Sequence, residues 1–313
     1  MENVKIHIRS VNISEKKGTI KKPVDSIELF EEGVKRDAHS GKWNRMVSLL
    51  GKESVERFSK EAGRNIAYGE FAENITTEGM ELFKTHPLDR LINDDVVLEV
   101  TQIGKKCHGS NCQIYREVGN CVMPKEGIFA RVIKKGELKA KNTLLFEPKV
   151  FKVGIITLSN RAAAGMYKDG SGPAIENLIK DYFLGIQRQA AYKMILIPDS
   201  KELLKENIHN FIEDKYDIIF TTGGTGIGSK DITPDVVSPL LDKEIPGIMD
   251  LIRLKYGKIH PSALISRSIA GVINKTLVYC LPGSPRAVKE YVEEIQKTLL
   301  HSIYMLHELD LHA

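Results

Sequence analysis

The chain has 313 residues, of which 42% are hydrophobic and 27% are charged, so it is long enough for two globular domains of ordinary composition. A net charge of +4 and an aromatic content of 7% give weak support to nucleic-acid binding, which usually concentrates basic and aromatic residues on one surface. The sequence has no membrane-length apolar stretch and no signal peptide, and four cysteines favour a cytoplasmic protein over a disulfide framework.

The first half of the chain has the pattern of a mainly β domain. Apolar and polar residues alternate at 4–8 and 27–29, and further strands are predicted at 96–100 and 128–133, with one helix near 54–62. Short strands with few helices predict a barrel-like or sandwich architecture. Pro148 cannot continue regular pairing and marks the predicted joint. We therefore predict one domain at residues 1–148 and a second at 149–313.

Three of the four cysteines lie close together in the first half. Cys107, Cys112 and Cys121 occur beside His108, and their spacing leaves metal or cluster binding, a reactive thiol and ordinary packing open, because a zinc site favours a closer pair. Cys280 lies in the last predicted strand and is expected to be a buried core thiol.

From residue 152 onward, strands and helices alternate. Strands are predicted at 152–158, 193–197, 217–222 and 276–281, and helices at 172–184, 201–213, 234–241, 246–256 and 285–306. Buried apolar strands that alternate with amphipathic helices predict an α/β domain with a doubly wound, mostly parallel sheet. The carboxyl ends of such strands meet along one edge of the sheet, where ligands bind.

The most informative motif is the glycine-rich loop that follows the predicted strand 217–222. It has four glycines within residues 223–228, and it continues to Asp231 and then to Thr233-Pro234. Glycines let backbone N–H groups face a ligand, whereas Thr followed by Pro suits a helix N-terminus with Thr233 as the N-cap. Ser229 breaks both the P-loop and the dinucleotide patterns. The acid behind the loop suggests a metal ion, and a merely tight turn is the alternative.

Polar residues also follow the other predicted parallel strands, and each has a structural alternative. Asp199 could cap the helix at 201, Asp169 and Ser171 could be turn formers, Ser284 could be an N-cap, and residues 266–268 could form a surface turn. Their convergence on one sheet edge instead predicts a pocket of hydroxyls, amides and carboxylates.

The second half resembles the molybdopterin adenylyltransferases of molybdenum-cofactor biosynthesis, which have the molybdopterin-binding fold. The resemblance covers residues 151–306 and departs at Asn160, where the family often has Asp. It rests on Ser159, Asp169-x-Ser171-Gly172-Pro173, Pro198-Asp199, Thr221 to Gly226, Asp231-x-Thr233-Pro234, Ile245-Pro246-Gly247, Ser266-Arg267 and Leu281-Pro282-Gly283-Ser284-Pro285.

This resemblance implies an enzyme in which the terminal phosphate of molybdopterin attacks the α-phosphate of ATP and pyrophosphate leaves. It implies Mg²⁺ as cofactor, with no pyridoxal phosphate, and Asp231 and Asp199 as catalytic and metal-binding residues. Cofactor- or substrate-binding roles are implied for Ser159, Asp169, Ser171, Gly172, Thr222, Gly223, Gly224, Thr225, Gly226, Ser266, Arg267, Gly283 and Ser284.

The resemblance also implies a homo-oligomer, commonly a trimer, and contact with other cofactor-assembly proteins is a further expectation. A non-catalytic carrier or scaffold for molybdopterin is the alternative, and Asn160 is the residue that supports it. Nucleic-acid binding, the third reading, predicts steeply salt-dependent affinity, which we do not expect.

The first half resembles a MOSC domain between residues 5 and 146. The matching segments are Gly33-Val34-x₂-Asp37-Ala38-His39-Ser40-Gly41, Arg45-x-Val47-Ser48-Leu49, Gly69-x-Phe71 to Gly79, and Leu98-Glu99-Val100-Thr101-Gln102.

The resemblance gives the functional cysteine of MOSC domains to Cys107 and implies persulfide sulfur relay or recognition of the cofactor. Arg45, His39 and Asn74 become candidates for anion or pterin contact, with a structural role as the alternative. Two departures are Lys105-Lys106 in place of the usual proline, and 141–142 (Lys-Asn) in place of Gly-Asp.

Overall fold

The structure is a computed structural model that describes residues 4–106 and 121–309. The chain divides into two compact units, one extending to Lys149 and the other comprising Val150–Glu308. The boundary lies immediately after the Pro148-containing segment, where the change of sequence pattern also occurs. Each unit has its own sheet and its own core.

In the first unit, seven strands close a β barrel. Its order is β1, β11, β7, β8, β9, β5 and β6, which pairs again with β1. β2 extends the sheet beyond β1, and β10, β3 and β4 form a small separate sheet. The strands are β1 (Lys5–Ile13), β2 (Lys22–Val24), β3 (Ser26–Phe30), β4 (Gly33–Val34), β5 (Val47–Gly51), β6 (Ile75–Glu78), β7 (Arg90–Ile92), β8 (Val97–Ile103), β9 (Ile128–Lys134), β10 (Gly136–Lys139) and β11 (Thr143–Glu147). The predicted barrel-like β domain is confirmed.

Period-two alternation fills the barrel. In β1, Ile6 and Ile8 are buried whereas their neighbours Lys5 and His7 are exposed, because successive side chains of a strand point to opposite faces. One long helix, α1 (Lys52–Ala62), follows β5 directly and adds a second apolar cluster. The unit also contains a short helix α2 (Met123–Glu126) and a 3₁₀ helix at Leu82–Lys84.

The second unit is built on a six-stranded sheet in the order β13, β12, β14, β17, β16 and β15. The strands are β12 (Val150–Leu158), β13 (Gln189–Ile197), β14 (Ile218–Thr222), β15 (Lys243–Glu244), β16 (Ala270–Ile273) and β17 (Thr276–Leu281). The first four in spatial order are parallel. β16 runs antiparallel to β17, and β15 runs antiparallel to β16; these two strands were not predicted.

Helices pack on both faces of this sheet. Phe151 of β12 stacks on Phe183 with ring centroids 5.0 Å apart, whereas Ile156 of the same strand packs in the cluster that contains Phe211 on the opposite face. The helices are α3 (Asn160–Ala163), α4 (Ser171–Gly185), α5 (Lys201–Glu213), α6 (Thr233–Val237), α7 (Pro246–Gly257) and α8 (Pro285–Leu306), with 3₁₀ helices at Ser238–Leu240 and Pro261–Ile265. Across residues 4–106 and 121–309, no helix is both long enough and apolar enough to cross a bilayer.

Candidate functional site

A cavity of about 650 Å³ lies at the carboxyl edge of the parallel strands. Its lining includes residues within two positions of the ends of four strands, namely Ser159 after β12, Asp199 after β13, Gly223 after β14 and Gly283 after β17. Asp231 lines the same cavity as Asp199. The loops that the sequence analysis assigned to one rim therefore meet around a shared space.

The glycine-rich loop needs glycine at two positions. Gly223 has φ of +102°, and a Cβ there would lie 2.3 Å from the carbonyl oxygen of Leu158. At Gly226 a Cβ would lie 2.6 Å from Oδ2 of Asp231. The absence of side chains therefore lets the loop contact β12 and lets the Asp231 carboxylate approach the backbone.

Thr233 ties the loop to the start of α6, although not in the predicted manner. Its backbone N–H donates to Gly224 O at 3.0 Å, and its hydroxyl donates to Gly223 O at 2.8 Å. Thr233 is the first residue of α6, and Ile232 holds the N-cap position. The prediction of Thr233 as N-cap is wrong, because its hydroxyl donates to the loop and is not the acceptor for the helix.

The Asp231 carboxylate is fixed on one side. Oδ2 accepts a hydrogen bond from the backbone N–H of Gly228 at 2.8 Å, and its side chain is half-buried. The backbone carbonyl of Asp231 accepts from Arg267. The acid is thus held by its own loop.

Arg267 does not line the cavity but clamps the loop from outside it. Nε donates to Gly226 O at 2.7 Å, and the guanidinium forms a two-pronged pair with Asp235 at 2.7 and 3.0 Å. Hydrogen bonding from Arg267 holds the pKa of Asp235 below its ordinary value. Its guanidinium donors are thus bonded to protein groups, and the predicted ligand-binding role of Arg267 stays a prediction.

Asp199 is not the cap of α5. The hydroxyl of Ser200 accepts from the N–H of Leu203 and caps the helix, which leaves the Asp199 carboxylate at the cavity. The backbone N–H of Asp199 donates to Oδ1 of Asn160 at 2.9 Å. Asn160, the departure from the family pattern, therefore positions the Asp199 loop.

Three further predicted binding residues lie behind the lining. Asp169 accepts from the N–H and hydroxyl of Ser171 at 2.9 Å each and from the hydroxyl of Thr157 at 2.7 Å. Gly172 donates its N–H to the same carboxylate at 3.3 Å. Thr222 is fully buried and donates to Pro282 O at 2.8 Å. Asp169, Gly172 and Thr222 are thus outside the cavity lining, whereas Ser171 belongs to it.

The remaining predicted residues line the cavity through hydroxyls or backbone. Ser159 bonds to the Tyr167 hydroxyl at 2.9 Å, and Thr225 and Ser266 have their hydroxyl oxygens 3.4 Å apart. Ser284 caps α8 by accepting from the N–H of Ala287. The cavity lining also includes the predicted residues Gly224, Gly226 and Gly283.

Several lining residues were missed by the sequence analysis. They are Arg161, Tyr167, Lys230, His260, Arg286, Glu290 and Tyr291. The last three belong to the first turns of α8, and the helix start predicted at Pro285 offered a signal, because the first turns of a helix after a ligand loop adjoin the site. His260 follows a loop with no comparable signal.

The donor set suits a hard divalent cation that also binds substrate. In the part of the chain that the structure describes, no three His, Cys, Asp or Glu side chains cluster as a complete metal cage. Mg²⁺ is commonly held by one or two carboxylates together with substrate phosphates, and Asp199 and Asp231 on one cavity fit that requirement.

In the first unit, the candidate residue His39 lies beside a buried ion pair. The Lys21 ammonium contacts both oxygens of Asp37 at 2.6 Å, and both side chains are only 1% exposed. His39 is partly exposed and lies 3.5 Å from each partner. Arg45 lies over the Trp43 ring, 4.9 Å from its centroid.

Asn74 has a structural role. It is buried, its Oδ1 accepts from the N–H of Ser48 at 3.1 Å, and its Nδ2 donates to Asn12 O at 3.2 Å. Its amide is thus used in holding neighbouring strands together. Cys107 and Cys112 lie outside the described residues.

Cys280 is completely buried in β17, as predicted for a core thiol. Burial raises the pKa of its thiol to about 12, so it carries no thiolate at neutral pH.

Family models match both units. A model described as a probable molybdopterin binding domain matches residues 154–302, and a MOSC domain model matches residues 36–144. The chain is 33% identical over 144 residues to the molybdopterin adenylyltransferase of Helicobacter pylori strain J99, which covers 46% of this chain and 80% of that protein.

Two other relatives match the same half. Gephyrin of Dictyostelium discoideum is 35% identical over 162 residues, covering 49% of this chain and 22% of that protein. The solved tungsten cofactor synthesizing protein MoaB from Pyrococcus furiosus is 34% identical, with a TM-score of 0.44, covering 52% of this chain and 98% of that one. The chain therefore belongs to the molybdopterin adenylyltransferase family of molybdenum-cofactor biosynthesis enzymes and carries a MOSC domain on the N-terminal side of its molybdopterin-binding domain.

Proposed function

We propose that the second unit catalyses Mg-ATP-dependent adenylylation of molybdopterin, giving adenylyl-molybdopterin and pyrophosphate. The observation that carries this proposal is the shared cavity whose lining includes Asp199, Asp231, the glycine-rich loop and the helix cap Ser284. A phosphate monoester is already an anionic nucleophile, so the site needs no serine–histidine activation. It needs alignment of two anions and relief of their repulsion, which are the main requirements of phosphoryl-type transfer.

The glycine loop and the start of α8 are the proposed phosphate sites. The backbone N–H of Gly223 donates to Leu281 O, so the proposed donors of the loop are the N–H groups of residues 224–226. The N-terminus of α8 at Ser284 also favours anions. Arg161 and Lys230 also line the cavity and add positive charge. Ser159, Ser171, Thr225, Ser266 and Gly283 complete the proposed contacts.

Asp199 and Asp231 are the proposed catalytic and metal-binding residues. Mg²⁺, when bound, supplies the positive charge that lets the two phosphates approach. The chain's own contribution is to hold the Asp231 carboxylate through the Gly228 N–H and the backbone of Asp199 through the Asn160 amide oxygen. Asp169, Gly172, Thr222 and Arg267 are assigned to positioning because their polar atoms bond to protein groups.

The carrier alternative loses support from the environment of Asn160. Its amide oxygen accepts from the N–H of Asp199, a bond that a carboxylate at the same position would also accept. The substitution thus removes one charge while keeping the contact that orients the loop. We therefore favour the enzyme.

The enzyme and the carrier are distinguished by incubating the whole protein with molybdopterin, ATP and Mg²⁺. The proposal expects pyrophosphate release that depends on both substrates. Binding of molybdopterin without pyrophosphate release would support the carrier.

Asp231→Asn should lower turnover by about 10²-fold or more while molybdopterin still binds, because a key electrostatic group is lost. Asp181→Asn is the matched control, since Asp181 is exposed on α4 and outside the cavity lining. A D231N variant with near-normal turnover would remove Asp231 from the mechanism.

For the first unit we propose sulfur relay by Cys107 or recognition of the cofactor, with His39 and Arg45 as candidate contacts. Lys105 and Lys106 precede this thiol and favour its thiolate if they face it. Alkylation rates at neutral pH test the relay: a Cys107 no more reactive than a model thiol would oppose it. We further propose a homo-oligomer, a trimer by family resemblance, which light scattering can test.

A further inference from the structure

One side of the cavity carries polar groups that the proposed phosphate transfer does not use. We call it the α8 wall, defined by Arg286, Glu290 and Tyr291 of α8 together with His260, all of which line the cavity. It is chemically unlike the glycine loop, because it contains a carboxylate and a tyrosine where the loop presents N–H donors.

Tyr291 has an unused hydroxyl in the part of the chain that the structure describes. The side chain is 1% exposed, and its buried hydroxyl has no hydrogen-bond partner among those residues. A buried hydroxyl without a partner is costly, and such groups call for an explanation. A polar ligand atom in the cavity would supply the missing partner.

Glu290 also keeps its accepting capacity. Its side chain is 18% exposed, and Oε1 lies 3.8 Å from Nε2 of His260 and 3.9 Å from Nε of Arg286. Both distances exceed a hydrogen bond, so neither neighbour occupies an oxygen of this carboxylate. A carboxylate repels phosphate, so the α8 wall suits an uncharged part of a substrate that is rich in N–H donors.

A carboxylate has two oxygens side by side and matches two neighbouring N–H donors best. The pterin ring offers such a pair in its 2-amino group and the adjacent N3–H. Adenine offers one amino group next to a ring nitrogen that is a hydrogen-bond acceptor. This nitrogen would repel the second oxygen of the carboxylate. Of the two substrates of the proposed reaction, the pterin is therefore the better match.

We propose that Glu290 binds the 2-amino-4-oxopyrimidine edge of the pterin and that the Tyr291 hydroxyl bonds to the same heterocycle, so that the α8 wall selects the pterin substrate. This proposal rests on the proposed function for the identity of the substrate, and it assigns a specificity role to residues outside the metal and phosphate sites.

The test uses two probes that differ at one group. Pterin carries the 2-amino group, whereas lumazine (2,4-dioxopteridine) has a carbonyl in its place and keeps N3–H. The whole wild-type protein should bind pterin more tightly than lumazine by about tenfold or more, because a charged acceptor left facing a carbonyl loses a strong hydrogen bond. Fluorescence titration measures both affinities.

Glu290→Gln should abolish this preference. A glutamine side chain presents one acceptor and one donor, which match the N3–H and the adjacent 4-carbonyl that pterin and lumazine share. Glu293→Gln is the matched control on the same helix, where Glu293 is exposed and outside the cavity lining. It should leave the wild-type preference unchanged, and Mg-ATP affinity should stay within about twofold in both variants because neither touches the phosphate sites.

Tyr291→Phe should weaken both probes by a similar factor of about five, the value of one neutral hydrogen bond. The proposal would be overturned if the wild-type protein bound pterin and lumazine with equal affinity, or bound neither. This result requires no variant. An E290Q variant that loses ATP affinity and keeps the pterin preference would also overturn it. These outcomes are independent of the transferase assay, because binding of the heterocycle requires no turnover. A protein that transfers AMP but does not prefer pterin over lumazine would contradict this inference and leave the proposed function intact.

Discussion

At the scale of single residues, the site depends on how closely backbone and carboxylate approach one another. Gly226 has a φ outside the left-handed region, so its need for glycine comes from contact and not from backbone strain. A Cβ there would lie 2.6 Å from Oδ2 and 3.1 Å from Cγ of Asp231. Because Asp231 is a flexible side chain, it is the carboxylate that would have to move.

Gly226→Ala should therefore reduce turnover by about 10²-fold, the loss that follows when a reacting group is misplaced by roughly 1 Å. The thermal midpoint should change little, because the displaced carboxylate lies at the cavity and not in the core. Gly185→Ala is the control, since a Cβ at Gly185 meets no atom within 4 Å. A G226A variant with wild-type turnover would show that the placement of Asp231 is not limiting.

At the scale of single residues, local sequence preferences could not predict the role of every polar residue at the site. Asp199 and Ser200 are both good helix caps, so local preference could not decide between them. The hydrogen bond from the Asp199 N–H to Asn160 decides it, and that contact joins residues 39 positions apart. Asp169 is the opposite case, because a local sequence preference describes it well. Its carboxylate accepts hydrogen bonds from the N–H groups of Ser171 and Gly172, which is the turn-forming role given above as the structural alternative.

A buried ion pair gives the first unit a pH-dependent stability. Burial alone would raise the pKa of Asp37, but hydrogen bonds from His39 and Lys21 and the Lys21 charge hold it well below its ordinary value of 3.8. Its folded pKa is thus below its unfolded pKa. The stabilisation is fully present above about pH 4 and is lost as pH falls through the folded pKa.

Asp37→Asn should destabilise the first unit by about 3–5 kcal/mol at pH 7, since it leaves the Lys21 ammonium buried without its partner. Urea unfolding followed by Trp43, the single tryptophan of the chain, measures this in the first unit. The gap between wild type and variant should narrow at pH 3. Asp25→Asn, at an exposed site, is the control, and equal urea midpoints for D37N and wild type at pH 7 would contradict the account.

At the scale of elements, strong local patterns predicted well and weak or distant ones did not. The helix at 201–213, the strand at 276–281 and the helix at 285–306 match the structure at both ends, since each has apolar periodicity and clear end signals. β15 has two exposed residues, Lys243 and Glu244, and so carries no pattern. The helix predicted at 234–241 is shorter, because the chain changes to a 3₁₀ helix at Ser238–Leu240.

The local sequence pattern also could not predict which strands pair to close the barrel. β1 pairs with β11 through contacts such as Lys5 opposite Leu145, which lie at the two ends of the unit. Alternation predicts that a strand has one buried face, but it does not say which strand becomes its neighbour. The barrel-or-sandwich prediction left this choice open for that reason.

The central strand β17 offers a test of burial in the second unit. Cys280 is fully buried, and its raised pKa of about 12 keeps the thiol protonated well above neutral pH. At pH 8, iodoacetamide should label Cys280 only after denaturation, because both access and thiolate are lacking in the native state. Peptide mapping before and after unfolding checks this. Rapid native labelling would mean that β17 opens or is misplaced.

At the scale of the whole molecule, the chain joins two units with separate cores, and we infer from this fusion that both serve one pathway. Covalent linkage raises the effective concentration of one unit's product near the other. The MOSC unit and the molybdopterin-binding unit were separable in the sequence because their periodicities differ, with short strands before residue 148 and strand–helix alternation after residue 152. Their chemical roles were not separable by composition and came from the motifs.

The most direct test of the central claim follows the α-phosphate of ATP. The whole protein is mixed with molybdopterin, Mg²⁺ and ATP labelled at the α-phosphate, and the products are separated. The account predicts that the label moves to the pterin as AMP in wild type, with transfer about 10²-fold slower in both D199N and D231N. Label that stays on ATP or appears only as free AMP, or transfer that is undiminished in both variants, would contradict the assignment of this cavity as the transferase site.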